Sequence, residues 1–154
     1  MEDNRKIIRE YHFYMSDDRS HSHEFVQHCF KNYFNFLQEH AISMGRHIIW
    51  SDNCTSQFKN AHMFYWLFRM QVKRGVPHIW SSFESGHGKG EHDGAEACVK
   101  RALVKEQLKI LRADLLDAHN IVDWCSSTLS KGVTLDLVEY RFFWLVEEAS
   151  IGDR

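Results

Sequence analysis

Strand-like and helix-like segments take turns along the first two thirds of this chain, and that alternation limits its fold more than any other feature. Lys6 to Met15 alternates, with Tyr11, Phe13 and Met15 on one side and Ile8, His12 and Tyr14 on the other, as a strand does. After the polar break at Ser16-Asp17-Asp18, Ser20 or Ser22 offers an N-cap to a helix from His23 to His40. There Val26, Cys29, Phe30, Tyr33, Phe34 and Leu37 fall at helical spacing. Arg46 to Ser51 is a short apolar strand that lands on Asp52-Asn53. Ser56 to Arg74 holds no Gly or Pro, ends at Gly75, and carries apolar residues most of the way round, which predicts a largely buried helix. Val76-Pro77 resets the chain into a strand from His78 to Phe83, and a helix follows from Asp93 to about Leu111. This order predicts an α/β fold with a mostly parallel sheet flanked by helices and joined by right-handed crossovers. Further on, Ile121 to Leu129 reads as a short helix and the aromatic-rich Tyr140 to Val146 as a strand. With no repeat or linker in 154 residues, one domain over 1–154 is expected.

The stretch from Ser81 to Arg101, SSFESGHGKGEHDGAEACVKR, is where chemistry or its relic is expected. Four glycines (Gly86, Gly88, Gly90 and Gly94) fall within nine residues, where they let the backbone approach a ligand or take positive φ. The loop brings His87, Lys89, His92 and Asp93 to a helix start, whose unpaired N–H groups favour anions. His87 and Lys89 suit phosphate contact or proton transfer; an exposed loop without a partner explains them as well.

Acidic residues stand at three strand ends or adjoining helix starts: Asp17 and Asp18, Asp52, and Asp93. Carboxylates converging at such positions can hold Mg²⁺ or Mn²⁺ for phosphodiester hydrolysis, although a single Asp there more often forms a turn or caps a helix. His21 and His23 follow the Asp17-Asp18 pair and fit either a metal site or a polar helix start. Thr55, Ser56, Gln57, Lys59 and Asn60 suit a nucleic-acid backbone or a solvated helix start, and Lys100, Arg101, Lys105 and Lys109 make the nearest basic face. The formal net charge of −2 does not favour nucleic acid as a partner, so any such role must rest on local charge. Cys29, Cys54, Cys98 and Cys125 show no close pairing and read as reduced thiols of an intracellular protein, in nucleus or cytoplasm. The longest apolar run, Met63 to Phe68, is too short to span a bilayer.

The paired motifs IIWSDNCTSQFKN and SSFESGHGKGEHDGAEACVKR resemble those of eukaryotic transposon-derived proteins of the ribonuclease H-like superfamily, relatives of the DDE-type transposases. The matching residues are Ser51-Asp52, Gln57-Phe58-Lys59-Asn60, His87-Gly88-Lys89, Asp93-Gly94 and Val99-Lys100-Arg101, and the likeness runs from about Tyr11 to Cys125. The resemblance implies a ribonuclease H-like sheet flanked by helices and an ancestral two-metal chemistry, with Asp52 and Asp93 as the second and third acidic ligands. Asp17 or Asp18 would stand in for the first ligand, which the family carries on an earlier strand without a counterpart here. The expected domain is therefore truncated at its N-terminus relative to the family. Two functions follow. One is a domesticated domain, catalytically weak or inactive, acting through protein–protein interaction; the other is a Mg²⁺- or Mn²⁺-dependent nuclease using Asp52, Asp93, His87 and Lys89. The missing strands also leave a gap in the ancestral sheet. Direct pairing of Lys6–Met15 with Arg46–Ser51 would close it, or Tyr140–Val146 would fill it. Because Phe142, Phe143 and Trp144 give that last strand no polar face, burial on both sides and a homodimer or obligate protein partner are expected.

Overall fold

The structure is a computed structural model that describes residues 7–19, 22–84, 90–133 and 137–147. In chain order the elements are β1 (Ile7–Met15), α1 (His23–Glu39), β2 (His47–Ser51), α2 (Ala61–Arg74), β3 (His78–Ser82), α3 (Glu91–Gln107), α4 (Ala118–Thr128), β4 (Lys131–Val133) and β5 (Leu137–Leu145). They make a mixed α/β protein with two small sheets, ordered β1-β5-β4 and β2-β3. The described residues divide into two compact units, 7–18 with 90–147, and 19–84.

In the first unit β1 and β5 pair in parallel over nine residues each, from Ile7 opposite Leu137 to Met15 opposite Leu145, and β4 adds antiparallel to β5. Of the two expected ways to pair β1, the structure takes the aromatic C-terminal strand and not β2. Side chains explain the match. Opposed aromatics in parallel register stack on both faces: Phe13 on Phe143 at 5.1 Å between centroids, and His12 on Phe142 at 4.8 Å. On the first face Phe143 joins Val99 of α3 and Cys125 of α4 in the core, with Phe13, Met15, Leu103, Ile121, Val122, Trp124 and Leu129 around them. On the other face Trp144 Nε1 donates to His12 Nδ1 at 3.1 Å. The expected burial of β5 on both sides is met only in part, since Phe143 and Val146 are buried while Tyr140, Phe142 and Trp144 are half-buried.

α3 stops at Gln107, short of the expected end near Leu111. The buried Glu106 turns the chain there by accepting from the Ala113 N–H at 3.1 Å and from Lys109 Nζ. Leu108, Ile110, Leu111 and Leu116 are consequently left on the surface, 80–101% exposed.

In the second unit β2 and β3 pair in parallel, from His47 opposite His78 to Ser51 opposite Ser82. The two-residue period puts Ile49 and Ser51 on the buried side and leaves Ile48, Trp50 and Ile79 exposed. α1 starts where Ser22 accepts from the Phe25 N–H and buries Val26, Phe34, Phe36 and Leu37. α2 starts at Ala61, five residues later than expected. Asn60 fixes that start, its Oδ1 accepting from the Met63 N–H at 3.0 Å while its Nδ2 donates to Thr55 O. Gly75, in the left-handed region at φ 65°, ends the helix.

The expectation that α2 is largely buried is corrected. Only Met63 is buried, and Phe64, Tyr65, Phe68 and Val72 are 55–68% exposed. The helix is apolar nearly all round, but one helix and a two-stranded sheet cover only one of its sides.

Candidate functional site

The first unit contains a cavity of about 640 Å³ where the end of β1 meets α3 and the start of α4. Its floor is apolar (Phe13, Met15, Val99, Leu103 and Ile121), and its rim carries Asp17, His92, Glu96, Lys100 and Asp117. Three of the candidate carboxylates, Asp17, Asp18 and Asp93, lie in this unit. Asp52 lies in the other unit. His87 and Lys89, with Gly86 and Gly88, lie outside the described residues.

The carboxylates of Asp17, Asp52 and Asp93 hold backbone. Asp17 Oδ1 accepts from the Ala118 N–H at 2.9 Å, and Asp117 accepts from the Asn120 N–H at 2.8 Å, so the first turn of α4 receives two carboxylates. Both oppose the positive end of that helix dipole. Asp18 donates its N–H to Ser16 Oγ at 3.1 Å, closing the turn after β1. Asp93 Oδ2 accepts from the Gly90 N–H at 2.9 Å as half of a capping box, and its Oδ1 lies 3.5 Å from His92 Nε2. Asp52 Oδ1 accepts from the Cys54 N–H at 2.8 Å, an Asx turn that carries the chain away from β2. Among the described residues no group of three His, Cys, Asp or Glu side chains could hold a metal ion.

The two described glycines of the loop do not take positive φ. Gly90 is extended (φ −153°), where an added Cβ would meet the His92 ring at 2.9 Å, and Gly94 lies inside α3 with open space around it. His23 stacks on His62 at 4.6 Å, and His21 lies outside the described residues. Lys100 pairs with Glu96 one turn earlier on α3, which weakens the expected basic face.

The cysteines are free. Burial pushes the Cys29 thiol up to about 12 and that of Cys125 to about 11, so both are inert. The Ser56 hydroxyl, 3.2 Å from Cys54 Sγ, and the Gln57 backbone draw the Cys54 thiol below its ordinary value.

Residues overlooked in the sequence gather in the second unit. His47 and His78 open β2 and β3, and the parallel register stands their rings edge to face, 5.1 Å apart, against Phe34. Arg74, ending α2, lies over the Phe34 ring at 4.0 Å. Burial first, then His78 and Arg74, drive His47 down to about 4, which keeps it neutral. The signal was present as an echo, since His47-Ile48 and His78-Ile79 repeat the same step at the start of successive strands.

The molecule is thus a mixed α/β protein whose candidate carboxylates cap helices and turns. No helix among the described residues is long and apolar enough to cross a membrane. A family model described as Domain of unknown function (DUF8701) matches residues 1–143, and the chain belongs to that family. No curated protein and no solved structure matches it.

Proposed function

We propose that this chain is a domesticated, transposase-derived ribonuclease H-like domain, which works through protein–protein interaction rather than catalysis. The observation that carries the interaction reading is the outer face of α2. Phe64, Phe68 and Val72 stand at i, i+4 and i+8, each more than half exposed, in a stripe one helix long. Apolar residues at that spacing are how a helix docks into a groove or against a second helix, and scattered surface hydrophobics do not line up this way. The occupant is a second copy of the chain or a protein partner. The ribonuclease H-like ancestry rests on the paired Ser51-Asp52 and His87-Gly88-Lys89 motifs. Weak or absent catalysis is supported by the use of Asp17, Asp52 and Asp93 as acceptors for backbone N–H groups.

Sedimentation at micromolar concentration tests the interaction, with Phe68→Glu as the control. A native chain that assembles and a folded variant that does not would support it; a native chain that stays monomeric and binds no protein would overturn it. Calorimetric titration with Mn²⁺, beside a nuclease assay on single-stranded, duplex and hybrid substrates, tests the catalytic part. The expected result is no binding tighter than millimolar and no cleavage. Metal-dependent cleavage that Asp52→Asn and Asp93→Asn both abolish would instead establish a nuclease.

A further inference from the structure

The second unit holds another cavity, an open one of about 340 Å³ bordered by the C-terminal half of α1, the turn that follows it, and the end of α2. Phe34, Leu37, Ile42, Met44 and Val76 make its wall apolar. Among the described residues Arg74 is the one Lys or Arg in that wall, and no Asp or Glu lines the cavity. Burial draws the guanidinium below its ordinary value without discharging it. It lies over the face of Phe34, and among the described residues its buried Nε–H has no hydrogen-bond acceptor. A second buried polar atom without a partner, Nε2 of His78, belongs to the same cavity wall, the other ring nitrogen of His78 being engaged with Val76 O at 2.7 Å.

A guanidinium set in a largely apolar wall, with no carboxylate among the described lining residues, favours an anion as its counter-charge. A hydrated inorganic anion would leave the apolar wall unfilled, and a plain hydrocarbon would leave Arg74 unmet. The two demands together describe one chemistry. At roughly 30 Å³ for each water-sized group, the cavity has room for about ten non-hydrogen atoms, which is the lower range of small-molecule sites.

We propose that this cavity binds a small amphipathic monocarboxylate, its hydrocarbon end against Leu37, Ile42 and Met44 and its carboxylate on Arg74. This site is independent of the α2 stripe, whose residues Phe64, Phe68 and Val72 are not part of its lining. His78 contributes the polar side wall.

Octanoate, with ten non-hydrogen atoms, is the probe, and 1-octanol of the same length is its uncharged control. Titrated into the full ¹⁵N-labelled chain, octanoate is expected to give saturable shifts confined to the ends of α1 and α2 and the start of β3, and to bind more tightly than octanol. Arg74→Met should weaken octanoate roughly tenfold or more, as expected on losing a charge-assisted hydrogen bond, while leaving octanol unchanged. Arg74→Lys keeps the charge and guards against a folding defect in the first variant; it should retain part of the preference. Equal affinity for octanoate and octanol, or shifts that do not map to this cavity, would overturn the proposal. So would a short peptide with a free C-terminal carboxylate that shifts these signals where octanoate does not, because that would make the site a protein contact.

Discussion

His47 carries the clearest consequence of any single side chain. Its imidazole is held neutral down to about pH 4, against an ordinary value of 6.5, by burial and by the facing His78 and Arg74. In the unfolded chain the same ring takes up its proton near 6.5. The unfolded state therefore binds more protons between those limits, and the native state must lose stability as pH falls from 6.5 towards 4. Allowing for its partial exposure, the loss is on the order of 2 kcal/mol. Urea unfolding at a series of pH values checks this, with His47→Gln expected to flatten that part of the profile. The side chain was easy to overlook because nothing in RHIIW marks its neighbour; only the parallel register of β2 and β3 brings His78 beside it. The aspartates present the opposite case. Asp17, Asp52 and Asp93 were visible at strand ends and helix starts, yet an Asp at such a position reads the same whether it binds metal or caps a turn. Only the bonds to Ala118, Cys54 and Gly90 reveal the capping use.

Among the secondary-structure elements, periodicity located the strands and helices of the α/β alternation but not the three-residue β4, and the other misses lie at ends and partners. α2 begins where Asn60 closes back on Thr55, and α3 ends where Glu106 reaches Ala113, seven residues on. Such links depend on a chain already folded, so no local pattern announces them. The Lys109 ammonium and the Ala113 N–H hold the Glu106 carboxyl below its ordinary 4.5. That stabilisation should be whole above pH 4.5 and lost as pH falls through the lowered value. Glu106→Ala is therefore expected to weaken the chain at neutral pH, with faster hydrogen exchange in the last turn of α3. The gap to the native chain should close in acid. The pairing of β1 with β5 rests on stacked aromatics, so Phe143→Ala, which opens a cavity beside Cys125, should cost roughly 3–5 kcal/mol. Thermal unfolding measures it. A loss below 1 kcal/mol would show that β5 is dispensable to this core.

Across the whole chain the imbalance is between apolar surface and the means to cover it. Phe64, Tyr65, Phe68 and Val72 remain exposed on α2, and Leu108, Ile110, Leu111 and Leu116 after α3. Hydrophobicity told the sequence that α2 needed burial, but not whether its cover lies in the same chain. Phe64, Phe68 and Val72 are each more than half exposed, and a symmetric pair would bury the stripe of both copies at once, setting that apolar gain against the cost of association. If the native state is that dimer, mass action couples folding to concentration, and the Tm must rise as protein is added. A monomer shows no such dependence. Phe68→Glu sets a charge in the middle of the stripe, where dimerisation would have to desolvate it, so its Tm should be lower and independent of concentration. Melting curves over a hundredfold range of protein concentration decide the matter. A constant Tm for the native chain would remove self-association, leaving a different protein as the cover for α2.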